Sequence, residues 1–231
     1  DTDFARSRLW AKDGTLWKNH GPTIEKIVNR LGWLDVQQTI DRERLQALQD
    51  NNKDSEIKHV ALLCRGGSSF APEVLAETFG QQDGFPQLIV LDSTDPARIQ
   101  QVEDSIQLDK TLFIVASKSG GTIETLSFYK YFYAKTGEAG KQFIAITDPG
   151  SQLEQLAKEK NFRDTFLNPA DIGGRYSALS YFGMVPAALM GLDLNRLWNK
   201  ADLMIEANNE NIPSNYHPGM ILGSIMGALA K

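Results

Sequence analysis

At 231 residues, with 42% hydrophobic and 23% charged side chains, the chain has the composition of a folded globule able to bury about 70% of its unfolded surface, which excludes a disordered or fibrous protein. Its formal net charge is −5, with basic residues scattered among acids, so a nucleic-acid backbone is repelled, while a small anion needs only a few local donors and is still admitted. The single cysteine, Cys64, rules out an intrachain disulfide and a cysteine zinc cluster and fits a reducing compartment; with no signal peptide visible at Asp1–Phe4, the cytoplasm is the expected location.

From Trp17 to Gln49 apolar residues recur at helical spacing, first Ile24, Ile27, Leu31 and Leu34, then Leu45 and Leu48. This predicts a helical N-terminal extension over 1–52. The polar break from Asn51 to Ser55 marks a domain boundary. Beyond it, β-rich runs at His59–Cys64, Gln87–Leu91, Thr111–Ala116, Gln142–Thr147 and Arg163–Leu167 alternate with helical stretches at Ala71–Phe79, Pro96–Ser105, Thr122–Lys135 and Ser151–Lys160. Such alternation predicts an α/β domain over 53–212, a doubly wound parallel sheet of five strands sandwiched between helices. Ligands are then expected at the carboxyl ends of the strands. In the remainder, 213–231, the run Pro218 to Ala230 is apolar and uncharged but shorter than the roughly 20 residues that span a bilayer. It predicts a buried core helix, with Gly219, Gly223 and Gly227 allowing close packing, and a chain whose apolar surface needs a further element to cover it.

Three strand-to-helix loops hold the candidate chemistry. Cys64-Arg65-Gly66-Gly67-Ser68-Ser69 offers glycines for close backbone approach and hydroxyls for an anion, yet lacks the spacing of a dinucleotide or Walker loop. A tight turn explains it equally well. Ser117-Lys118-Ser119-Gly120-Gly121-Thr122-Ile123-Glu124-Thr125 is more specific. Its four hydroxyls, two glycines and one lysine at a helix N-terminus make a receptor for a phosphate dianion. A helix cap needs only one such hydroxyl. The third, Asp171-Ile172-Gly173-Gly174-Arg175-Tyr176-Ser177, allows a guanidinium to approach a substrate and stabilise an oxyanion, or simply to pair with a carboxylate near a glycine turn.

Taken together, the loop from Ser117 to Thr125 resembles the phosphate loop of the glucose-6-phosphate isomerase family. Gly173-Gly174-Arg175-Tyr176-Ser177 resembles the family's first signature, and Gly66-Gly67-Ser68 its sugar-contacting loop. The resemblance covers Lys53 to the C-terminus and implies the first sugar-isomerase (SIS) domain, flavodoxin-like in layering, of a two-domain enzyme. The lead-in and the wording around Gly66 to Glu73 are similar to the bacterial form fused behind a transaldolase.

The resemblance implies an aldose-ketose isomerisation of glucose 6-phosphate to fructose 6-phosphate through a cis-enediol, without metal or cofactor, in a homodimer. Ser117, Ser119, Thr122 and Thr125 would hold the phosphate, and Lys118 would contribute through its backbone and charge. Gly67 and Ser68 would meet the sugar, with Gly174 a further substrate contact, and Arg175 would stabilise the enediolate. The family's base, a glutamate, lies downstream of this chain's last residue, as do the ring-opening histidine and a further lysine, which implies a piece that binds phosphate without turning substrate over. Cys64 and Arg65 depart from the family's glycine and small apolar residue, Ser119 replaces threonine, and Gly120-Gly121 is expected only to loosen the loop. The rival readings are a non-catalytic SIS sensor of sugar phosphates, which would not need Arg175, and a flavodoxin-like electron carrier, for which no aromatic pair is placed.

Overall fold

The computed structural model describes residues 2–230. Four helices lead in, α1 (Thr2–Trp10), α2 (Gly21–Val28), α3 (Val36–Thr39) and α4 (Arg42–Asn52). Then β1 (His59–Cys64), α5 (Gly67–Phe79), β2 (Gln87–Leu91), α6 (Pro96–Ser105), β3 (Thr111–Ala116), α7 (Ile123–Lys135), β4 (Phe143–Thr147), α8 (Gln152–Glu159) and β5 (Asp164–Leu167) alternate. The helices α9 (Tyr181–Leu189), α10 (Leu194–Ala207) and α11 (Pro218–Leu229) complete the chain.

The five strands form one sheet in the order β2-β1-β3-β4-β5, with each pair parallel. The apolar runs become central strands because both faces are covered. Val60, Leu62, Ile114 and Ile146 point to one face, where Leu45 and Leu48 of α4, most of α9 and Trp198 of α10 pack. Ala61, Leu63, Phe113 and Phe143 point to the other, against Phe128 and Phe132 of α7, Leu153 of α8 and Val102 of α6. The result is the expected doubly wound, three-layer α/β sandwich. Before α4, Val36 and Ile40 also enter the first of these cores.

Beyond one-residue shifts at α7, β4 and α8, sequence and structure differ at three places. Helix α5 starts four residues before the expected Ala71, at Gly67, because the chain turns at Gly66 with φ of 69°, a conformation open to glycine. This leaves Pro72 inside the helix rather than near its start. The fifth strand begins at Asp164, one residue late. The C-terminal apolar run is helical but not buried: Leu222, Met226 and Leu229 are 60%, 63% and 83% exposed, and a Cβ on Gly223 or Gly227 would meet nothing within 4 Å. The described residues supply no element to cover it. No helix is long and apolar enough to cross a membrane among the described residues.

The strand order reverses direction between β1 and β3. The loops leaving their carboxyl ends, after the paired residues Cys64 and Ala116, diverge to opposite sides of the sheet and leave the crevice where α/β proteins hold ligands.

Candidate functional site

A cavity of about 480 Å³ occupies this crevice, lined among others by Arg65, Gly67, Ser68, Ser117, Lys118, Ser119, Thr122 and Gly174. All three loops therefore reach one place. Loops one and three touch through their backbones: a Cβ on Gly67 would lie 2.7 Å from the carbonyl carbon and oxygen of Gly174. Beneath loop one, Cys64 is fully buried, and burial pushes its thiol pKa up to about 12, so it stays protonated.

The helix ends facing the cavity are built differently from those of the other helices packed on the sheet. Asp41, Asp95 and Ser151 cap α4, α6 and α8 with side-chain oxygens. By contrast α5, with Gly66 at its N-cap, and α7, with Thr122 there, have no side-chain cap. The first-turn amides of a helix lack intrahelical acceptors and carry its positive dipole end. Two uncapped N-termini converging on one crevice make a site for a negative group.

Thr122 is a residue type that ordinarily caps, yet its hydroxyl instead hydrogen-bonds that of Ser117 at 2.8 Å. The Ser117 oxygen accepts from the Gly120 amide at 3.2 Å, and that of Ser119 from the Gly121 amide at 3.4 Å. The loop is thus ordered by its own hydroxyls while lining open space. Gly120 does more than the loosening expected of it. Its φ is 70°, and a Cβ there would approach Cβ of Ser151 to 2.7 Å and the Leu153 amide nitrogen to 2.8 Å, so it seats the loop against the start of α8.

Lys118 donates to the Ala170 carbonyl at 2.7 Å and forms a close ion pair with Asp148. Burial raises the Asp148 pKa and the Lys118 ammonium opposes that rise. The charge of Lys118 is therefore answered inside the protein.

Two residues stand apart from the cavity. Thr125 is fully buried, its hydroxyl without a hydrogen-bond partner, because three positions beyond the N-cap the helix turns it inward. Arg175 is exposed and lines a neighbouring groove of about 370 Å³ with Phe70, Ala71, Val74 and Leu179. Gly174 borders both spaces.

Asn29, Arg30 and Asp148 also line the cavity, and sequence reasoning did not find them. Asp148 follows the carboxyl end of β4, where the strand-end rule alone would have pointed. Asn29 and Arg30 belong to the helical lead-in and are brought in by tertiary contacts. Leu31 bridges Ile172, the Gly32 amide donates to the Asp171 carbonyl at 2.9 Å, and Trp33 stacks on Tyr176 with ring centroids 5.5 Å apart.

Known proteins resemble this chain in sequence and fold. Residues 37–218 match the family model of phosphoglucose isomerase. The chain is 30% identical over 194 residues to glucose-6-phosphate isomerase of Campylobacter jejuni, covering 80% of this chain and 47% of that protein. It is 39% identical over 145 residues to the enzyme of the same name from Prochlorococcus marinus, covering 60% and 28%. Among solved structures, the hypothetical protein TT0462 of Thermus thermophilus superposes with a TM-score of 0.81 at 27% identity, over 98% of this chain and 52% of that one. A glucose-6-phosphate isomerase from Chlamydia trachomatis superposes at 0.56 with 20% identity over 88% and 37%, a likeness of fold. The chain spans about half or less of the length of these relatives. It belongs to the phosphoglucose isomerase family.

Proposed function

We propose that this chain is the phosphate-binding half of a glucose-6-phosphate isomerase, an enzyme interconverting glucose 6-phosphate and fructose 6-phosphate through a cis-enediolate. The observation that carries the reading is the uncapped N-terminus of α7, opening onto a hydroxyl-lined cavity at the switch point of the sheet. There the amides and hydroxyls of Ser117, Ser119 and Thr122 would take the phosphate, and Gly67, Ser68 and Gly174 would meet the sugar.

Arg175 is assigned to the enediolate. It lies one residue from Gly174, which borders the cavity and the groove alike, so the reacting carbons would sit on that side, with the phosphate at α7. Proton transfer between adjacent carbons needs a general base as well as an oxyanion partner. We assign that base, with the ring-opening group, to the half of the relatives' length that this chain does not span. On this reading the 231 residues bind the ester without isomerising it, residues 1–52, 53–212 and 213–231 are lead-in, binding domain and connection, and the full-length enzyme is a cytoplasmic homodimer.

Calorimetry with glucose 6-phosphate against glucose tests the assignment: the ester should bind and the free sugar should not. Equal affinity for the two would remove the phosphate loop from the argument.

A further inference from the structure

The cavity carries Arg30, Arg65 and Lys118 against one carboxylate, Asp148. Among the lining residues three cations less one anion give a formal charge of +2, or +1 once Glu124, which ion-pairs with Arg65 from outside the lining, is counted, in a chain of net charge −5. The three cations are not equivalent. An ammonium has three donors. Lys118 spends two of them on Asp148 and on the Ala170 carbonyl, tying the phosphate loop to the loops that follow β4 and β5. Paired with Asp148, it adds no net charge.

The arginines remain available. Arg30 makes one hydrogen bond among the described residues, from Nη1 to the neighbouring Asn29 carbonyl at 2.7 Å. Its stem lies over loop three, with Cδ 3.1 Å from where a Cβ of Gly173 would be. Arg65 donates from Nη1 to the Asp92 carbonyl at 2.9 Å, and its Nε lies 3.9 Å from a Glu124 oxygen, at the limit of an ion pair. Each guanidinium keeps most of its five donors and matches the oxygens of a phosphate in a planar fork.

We propose that Arg30 and Arg65 are specificity-determining residues that supply the net positive charge selecting a dianionic phosphate ester, and that Lys118, held by Asp148 and Ala170, is a strut joining three loops. This deepens the sugar-phosphate reading above and rests on it. Arg30 gives the helical lead-in a part in recognition, since the Leu31–Ile172 bridge and the Gly32–Asp171 hydrogen bond fix where it stands.

The test is titration of the chain with inorganic phosphate and with glucose 6-phosphate over a range of salt concentrations. Arg30→Ala and Arg65→Ile should each raise Kd by about tenfold, the loss of one charge-assisted hydrogen bond, and flatten the dependence of Kd on salt. Both side chains are exposed, so the variants should melt as the parent does. Arg65→Lys should keep the salt dependence while binding more weakly, because the charge survives and the fork does not. The double variant Lys118→Met/Asp148→Asn removes a neutral pair and should retain the parental salt dependence with a lower melting temperature. Unchanged Kd and salt dependence in Arg30→Ala/Arg65→Ile, with the parent still binding phosphate, would overturn the inference, as would a flattened salt dependence in Lys118→Met/Asp148→Asn. Failure of the parent to bind either ligand would instead sink the phosphate-site reading itself.

Discussion

Gly67 and Gly174 meet backbone to backbone: a single methyl on Gly67 would lie 2.7 Å from the Gly174 carbonyl carbon, well inside van der Waals contact. The two glycines stand in loops more than a hundred residues apart, and their approach joins the floor of the cavity to the groove holding Arg175. Gly67→Ala should therefore cost about 1–3 kcal/mol, the usual range for forcing atoms into a packed site, and weaken binding of glucose 6-phosphate by moving loop three. A thermal melt and a titration check both. Gly174→Ala is the control, since a Cβ there meets nothing within 4 Å and should leave the melting temperature near the parent's.

The Ser117–Thr122 hydroxyl pair gives a second prediction. Thr122→Val keeps the shape of the side chain but leaves the buried Ser117 hydroxyl without its 2.8 Å partner. Stability should fall by about 1 kcal/mol, and on the proposed reading, in which this hydroxyl also meets the ligand, phosphate affinity should fall by about tenfold. Thr122→Ser should restore both. A valine variant that binds phosphate like the parent would take Thr122 out of the site.

What the sequence made legible was what has a local signature. Buried parallel strands appear as continuous apolar runs, so all five strands fall within a residue of their expected bounds, and Ser117–Thr122 stands out because hydroxyls and glycines directly follow one. Direction was not legible. Whether Thr125 turns into the core or Arg175 into the neighbouring groove depends on one or two positions of helical phase, which composition does not encode. Arg30 had no signal at all, because what places it is a bridge between Leu31 and Ile172, residues far apart in the chain. Gly120 looked like slack because its constraint, the start of α8, is tertiary.

The Lys118–Asp148 pair predicts a pH dependence. Burial raises the Asp148 pKa above its ordinary 3.8 despite the opposing Lys118. For a group whose pKa is higher folded than unfolded, its stabilising contribution is full below the unfolded value and is lost as pH rises through the folded one. Asp148→Asn does not titrate. The stability of the parent relative to Asp148→Asn should therefore decline as pH is raised from below 3.8 toward neutrality, as denaturant melts at successive pH values would show. A difference that grows with pH would mean that Lys118 governs the titration of Asp148 and that burial does not.

The stacking of Trp33 on Tyr176, centroids 5.5 Å apart and planes 18° from parallel, makes a final prediction. Trp33 lies three residues after Arg30, and Tyr176 directly follows Arg175, so the contact fastens the helical lead-in to the glycine-arginine loop. An aromatic pair contributes about 0.5–1.5 kcal/mol beyond the area it buries. Trp33→Ala should cost at least that, and it should also weaken phosphate binding although Trp33 does not line the cavity, because Arg30 loses its anchorage. Trp33→Phe should recover most of the affinity by keeping a ring over Tyr176. In the background of Arg30→Ala, Trp33→Ala should have little further effect on phosphate affinity while still lowering the melting temperature. Additive losses of affinity in that double variant would show that the stack acts on the site by a route other than Arg30.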